Sequence, residues 1–191
     1  AAPSLSTPIL GASTSTLTLS NFRVRRGARA KLDSTLNLAG TLEITSAEFA
    51  AGNRILADTT SLNTNAVLTH LATTGTTTFK VDLHTESLTI DSTSRVDVTG
   101  LGFLGQARIG NPFPNNGMTV GFQQGSASGA GGSYGGLGGG AGPNPVYGVA
   151  SNPNEPGSGG GAFTVPAGNG GGLIRIAATT LVLNGAIRAN G

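Results

Sequence analysis

The feature that most constrains this chain is a short apolar alternation that keeps returning. Leu17-Thr18-Leu19 is followed by Phe22-Arg23-Val24, and Leu36-Asn37-Leu38 by Leu42-Glu43-Ile44. Leu88-Thr89-Ile90 is followed by Val96-Asp97-Val98, and Leu181-Val182-Leu183 by Ile187-Arg188-Ala189. Apolar residues two apart put their side chains on one face of an extended backbone, so each trio predicts a strand with one buried side. Leu17 lies 19 residues before Leu36, and Phe22 lies 20 before Leu42. That period is short for a sandwich of hairpins and suits one turn of a solenoid. Runs of three residues bury too little as isolated hairpins, even where Asn184-Gly185 offers a tight turn. Stacked in parallel, their aliphatic residues would form continuous internal columns. The expected fold class is all-β, a right-handed parallel β-helix.

Helix signals are sparse. Ser46-Ala47-Glu48-Phe49-Ala50-Ala51 is the best candidate for a single helical turn, with Ser46 as its cap. Strands are predicted at Arg54-Ile55-Leu56, Ala66-Val67-Leu68 and Phe79 to Leu83, with loops at Gly52, Thr59-Thr60 and Thr73 to Thr78.

Composition divides the chain near residue 100. Residues 1–99 hold five of the 32 glycines and eight of the nine carboxylates; the remainder holds 27 glycines and one carboxylate, Glu155. The expected organisation is β-helix coils over 1–99, a long glycine-rich loop insertion over 100–172 packed on the helix flank, and a returning coil over 173–191. A flexible linker is the ordinary reading of such a stretch. Against it stand the separately spaced Tyr, Phe and Pro residues and the clean strand pattern Leu173-Ile174-Arg175-Ile176 that follows. Only 10% of residues are charged, which is not the signature of a disordered chain.

Gly131-Gly132-Ser133-Tyr134-Gly135-Gly136, Tyr147-Gly148, Pro156-Gly157-Ser158-Gly159-Gly160-Gly161, Gly170-Gly171-Gly172-Leu173-Ile174-Arg175-Ile176 and Leu181 to Gly191 form a recognisable succession. Over Gly125 to Gly191 it resembles a glycine-rich β-helical module of large extracellular adhesin-like surface proteins. The resemblance implies a repetitive, β-helical, extracellular or cell-surface protein and carries no catalytic residues.

Chemistry finds little purchase. With no Cys, neither disulfides nor thiolate metal sites arise. His70 and His84 lack partners at ligand spacing, so both are expected on the outside or in turns. The glycine-rich part contains no Asp, which argues against calcium β-roll repeats. No Gly-Lys-Ser/Thr phosphate loop is present, Gly135-Gly136-Leu137-Gly138 lacks the strand and helix of a dinucleotide site, and Ser133 and Ser158 lack a base in recognisable order. Neither a cofactor nor a metal is expected. Arg23, Arg25, Arg26, Arg29 and Lys31 cluster, but Arg23 and Arg25 alternate with Phe22 and Val24 as the polar face of a strand does, so nucleic acid is not an expected partner. No apolar run is long enough to span a bilayer as a helix, and membrane insertion is not expected. The opening Ala1-Ala2-Pro3-Ser4 lacks the charged and apolar regions of a signal peptide, and the chain reads as a fragment of a longer one.

The expected function is therefore a structural or adhesive segment of a secreted or surface fibre, with neighbouring repeats or copies of itself as partners and surface glycans as a further possibility. One alternative is a carbohydrate-binding or polysaccharide-degrading β-helix. Cleavage would need paired carboxylates, for which Asp82, Glu86, Asp91 and Asp97 are the candidates. Another is a phage or viral fibre segment. Tyr134, Tyr147, Phe113 and Phe122 are the candidate contact residues, with Phe163 beside them; each ring either stacks on a sugar or pins the loop.

Overall fold

The computed structural model describes residues 9–10, 15–163 and 166–191. The opening Ala1–Ser4 lies outside them. Two compact units are present. One gathers the described residues up to Leu71 with Val81–Asp97 and Arg175–Ile187; the other gathers Ala72–Lys80, Val98–Ile174 and Arg188–Gly191.

The described chain is all-β. Its strands are β1 (Ile9–Leu10), β2 (Thr16–Leu19), β3 (Phe22–Arg25), β4 (Arg29–Leu32), β5 (Thr35–Leu38), β6 (Thr41–Thr45), β7 (Glu48–Ala51), β8 (Ile55–Asn63), β9 (Val67–His70), β10 (Lys80–Ile90), β11 (Arg95–Asp97), β12 (Asn116–Thr119), β13 (Gln123–Ala127), β14 (Leu173–Leu183) and β15 (Ala186–Arg188). The one helical element among the described residues is a single 3-10 turn at Val120–Phe122. None of their helices is long and apolar enough to cross a membrane.

Two parallel sheets organise the first unit. One has the order β1-β4-β7-β9-β11-β15; the other runs β14-β10-β8-β5-β2, with β3 and β6 continuing it beside β8. Strands close in sequence therefore never pair with each other. Each pairs with the strand one circuit later: Leu17 lies beside Leu36, Phe22 beside Leu42, and Arg29 beside Glu48. The offset is 19 or 20 residues at those places and 28 where Leu83 meets Ile55 and Arg95 meets Val67. Gly75 and its neighbours in the second unit account for the longer circuit.

This register lines the inward residues into columns. Leu17, Leu36, Ile55 and Leu83 form one; Val24, Ile44, Leu62 and Ile90 a second; Ala30, Phe49, Leu68 and Val96 a third. In each column the members from the middle circuits are fully buried. A fully buried Leu or Ile contributes about 1.5–3 kcal/mol relative to exposure, so these columns are the main attractive term of the unit.

Corners stack as strands do. The left-handed residues Arg26, Ser46 and Thr64 recur at one corner, and the Arg26 and Ser46 amides donate to the Thr45 and Asn63 carbonyls of the next circuit. At the Asn184-Gly185 bend a side chain on Gly185 would collide with the Ser94 and Asp91 carbonyls, which is why that corner needs glycine.

Three sequence expectations are corrected. Ser46 to Ala51 is not helical: Ser46 has φ +48° and Glu48–Ala51 is β7, because pairing with β4 on one side and β9 on the other supplies every amide a partner that an isolated turn could not. Thr59-Thr60 is not a loop but lies inside β8, where Thr60 takes an inward position between Leu42 and Leu88 and bonds Thr85 Oγ1. The repeated figure also changes phase. Leu88-Thr89-Ile90 stacks over the second member of the earlier pair, Leu42-Glu43-Ile44, through Thr60 and Leu62; its companion Val96 enters the other sheet. Any strand–bend–strand corner produces the same apolar alternation, so pattern alone does not say which corner it is.

The second unit is held differently. Among its described residues, only β12 and β13 form a hairpin. Elsewhere glycine-rich segments bond backbone to backbone without a ladder: Phe103 N–H donates to Gly157 O, Gly159 N–H to Met118 O, Met118 N–H to Leu104 O, and Gly161 N–H to Ala130 O. Absence of side chains lets these segments approach closely, and a Cβ on Gly102, Gly117, Gly138, Gly159 or Gly170 would collide with a carbonyl of the adjacent segment. Phe103, Leu104 and Met118 supply its small apolar core.

Candidate functional site

The aromatic residues singled out in the sequence all lie in the second unit and fall into two groups. Phe113 and Phe122 pack, partly buried, against the Phe103–Leu104–Met118 core, with Phe122 edge-on to Phe103 at 5.9 Å between ring centres. Tyr134 and Tyr147 meet edge-to-face at 5.1 Å. Tyr147 also touches the Phe103 cluster and so joins the two groups.

Both tyrosine hydroxyls are engaged. Tyr147 Oη donates to Pro156 O at 2.6 Å and accepts from Ser158 Oγ at 3.1 Å. Burial of the ring pushes its phenol up to about 12, so it stays a neutral donor. Tyr134 Oη accepts from the Asn154 amide at 3.1 Å. Its ring lies against Gly148, whose φ of +67° and missing Cβ leave room for it. All four rings thus pack inside the second unit, Phe113 and Phe122 on its apolar core and the two tyrosines on each other.

Asn144, which carries no motif, is the centre of this unit. It is 3% exposed. Its Oδ1 accepts from Ser126 Oγ at 2.8 Å and from the Ser133 amide at 2.9 Å; its Nδ2 donates to Thr119 Oγ1 at 3.1 Å and to Pro145 O at 2.9 Å. Thr119 and Ser158 hydroxyls meet at 2.8 Å, and Ser158 passes the chain on to Tyr147. Each buried polar atom in the network has a partner, which makes it a specifying polar core in place of the missing aliphatic one. Ser133 and Ser158 are spent in this network on neutral groups. Sequence reasoning overlooked Asn144 because Ser133, Ser126 and Thr119, which it joins, lie 11, 18 and 25 residues away.

Beside the network opens a groove of about 730 Å³, walled by glycine backbone with Ser133, Tyr134, Ser158 and Asn169 on its lining. Phe163 stands on its rim with 80% of its surface exposed.

In the first unit the candidate carboxylates are separated by their partners. Asp82 is buried, with Arg54 Nε at 3.0 Å and His84 Nε2 at 3.2 Å. Asp97 pairs with Arg95 at 3.2 Å, and Glu86 is exposed. Asp91 belongs to a corner: its Oδ2 accepts from the Thr64 amide at 2.5 Å, while Thr93 Oγ1 and Ser94 Oγ accept from the Asn65 and Ala66 amides. The Thr64 bond holds the Asp91 carboxyl well below the usual carboxylate range. Among the described residues no group of three or more His, Asp or Glu side chains is placed to hold a metal ion.

Three of the five basic residues in the cluster face carboxylates of the next circuit. Arg25 binds Glu43 through two bonds of 2.9 and 2.7 Å, Arg23 reaches the same carboxylate at 3.2 Å, and Arg29 faces Glu48 at 3.7 Å. Glu43 is held below its ordinary range chiefly by the Arg25 hydrogen bond.

His70 corrects its expectation. It is neither outward nor in a turn but 2% exposed, in the inward column below Leu32 and Ala51. Nδ1 lies 2.7 Å from Leu71 O, and Nε2 has no hydrogen-bond partner. Desolvation pushes its pKa down, so the ring is neutral at pH 7.

Compared with known families, with curated proteins and with solved structures, the chain shows no significant match to any of them.

Proposed function

We propose that this chain is a load-bearing scaffold segment of a secreted or cell-surface fibrous protein, a right-handed parallel β-helix that displays a glycine-rich unit. The observation that carries the reading is the circuit-to-circuit pairing of parallel strands in two sheets, with inward aliphatic columns running through all of them. Parallel crossovers of this kind are right-handed in nearly every known case. A stack of circuits joined by backbone ladders resists extension along its axis because each ladder must break as a unit. Small side chains and paired charges suit an inert shaft, and three of the four carboxylates considered for hydrolysis, Asp82, Asp91 and Asp97, are engaged in ion pairs and corner bonds.

The test is single-molecule extension of the chain held at its two ends. Stepwise lengthening is expected, each step releasing one circuit, roughly 65 Å for 19 residues at about 3.4 Å each. One abrupt release of the whole first unit at low force would count against a shaft.

A second reading, glycan contact, is supported by the exposed Phe163 on the rim of a groove rich in backbone donors and acceptors. Binding on a glycan array that disappears in Phe163→Ala would favour it; binding unaffected by that change would remove its support.

A further inference from the structure

Ile55 and Leu83 are buried and in register on β8 and β10. Their neighbours Arg54 and Asp82 therefore stand side by side on the outward face, and two residues on Leu56 and His84 do the same. The four mark out a rectangle about 5 Å across the strands and about 7 Å along them, the footprint of one sugar ring.

Asp82 fixes two corners of that rectangle. Its Oδ2 accepts from Arg54 Nε at 3.0 Å and its Oδ1 from His84 Nε2 at 3.2 Å, while its own side chain is 8% exposed. Each bond uses one edge of the partner and leaves the other. Among the described residues, Arg54 Nη1, Arg54 Nη2 and His84 Nδ1 have no hydrogen-bond partner, and the two side chains are 51% and 42% exposed. An Arg fork held through Nε can donate two parallel bonds to a planar carboxylate. With Nε2–H given to Asp82, the neutral imidazole keeps a lone pair at Nδ1 and accepts from a hydroxyl. Leu56, half-buried beside both, supplies an apolar floor for ring C–H groups.

The next residues outward along the same strands decide the ligand class. Asp58 and Glu86 are both exposed there. Their carboxylates accept hydroxyl protons and repel a second anionic group. Polyanions such as sulfated polymers or nucleic acid are therefore disfavoured, and a single acid group among hydroxyls is favoured.

We propose that Arg54, positioned by Asp82 beside His84, forms a binding site for a uronic acid, with the sugar carboxylate on the Arg54 fork and a neighbouring hydroxyl on His84 Nδ1. The site uses residues of the first unit alone, none of them in the groove beside Phe163.

NMR of the two histidine rings during titration of the full chain with sodium glucuronate tests it. The expected result is a saturable shift of the His84 ring signals at millimolar concentration. Those of buried His70 should stay in place, and glucose should leave both rings unmoved. Arg54→Ala should weaken binding by about tenfold or more. Arg54→Lys keeps the charge without the fork and should weaken binding in the same direction, and circular dichroism checks that both variants fold. No shift with glucuronate, an equal shift with glucose or sodium sulfate, or binding unchanged in both Arg54 variants overturns the proposal. Binding lost in Phe163→Ala but kept in Arg54→Ala would place the sugar in the groove and overturn it equally.

Discussion

At the scale of single residues, polar groups decide where the chain is sensitive. His70 sits neutral in an aliphatic column with its Nε2 unpaired. Its folded pKa lies below that of the unfolded chain, so below about pH 6.5 the unfolded state binds the extra proton and stability falls with decreasing pH. Thermal midpoints measured between pH 8 and pH 5 should decline toward the acid end, and His70→Leu should flatten that decline. A slope unchanged by the substitution would show that another group titrates. Asn144 is the converse case, a polar side chain with every bond made. Asn144→Ala would take one bond each from Ser126 and Thr119 and orphan the Ser133 amide, costing about 2–4 kcal/mol by denaturant titration of the second unit. Neither residue was legible in the sequence. A histidine among threonines reads as exposed until the register turns it inward, and Asn144 acquires its role only from segments distant along the chain.

Among elements, strands and glycine segments respond to different changes. In β8, Leu62 is fully buried between Ile44 and Ile90, and Leu62→Ala should cost about 2–5 kcal/mol through lost transfer energy and a residual cavity. In the glycine-rich unit the sensitive change is addition of one carbon. A Cβ on Gly138 would collide with the Gly131 carbonyl, whereas one on neighbouring Gly139 would meet nothing within 4 Å. Gly138→Ala should therefore lower the unit's melting temperature by several degrees, with Gly139→Ala close to neutral; equal effects would mean that close backbone approach does not organise this unit. Alternation in Leu36-Asn37-Leu38 and Leu42-Glu43-Ile44 announced β5 and β6 directly, since period two is intrinsic to extended backbone. The helical turn expected at Ser46 failed because local propensity is worth tenths of a kcal/mol there, against the ladder bonds of β7 on both sides.

For the molecule as a whole, the proposed β-helical stacking of the first unit would make that unit's stability a sum of neighbouring interfaces, so damage there should be graded by position. Leu62→Ala in an inner circuit should lower cooperativity of the first unit measured by hydrogen exchange, while Leu181→Ala, already half exposed on the outermost strand, should protect almost as well as the unaltered chain. Equal protection losses would argue against circuit-wise stacking. By itself the sequence determined the all-β class, the positions of most strands, the bend at Asn184-Gly185 and a spacing near 19 residues between paired strands, because alternation and turn chemistry are local and repeat. Only the tertiary structure decided which corner each trio occupies, that His70 faces inward, that Arg23 and Arg25 share Glu43, and that Asn144 joins the glycine-rich segments. Those outcomes depend on the register between circuits, and register is set by many weak contacts summed across the chain, which no short stretch of residues contains.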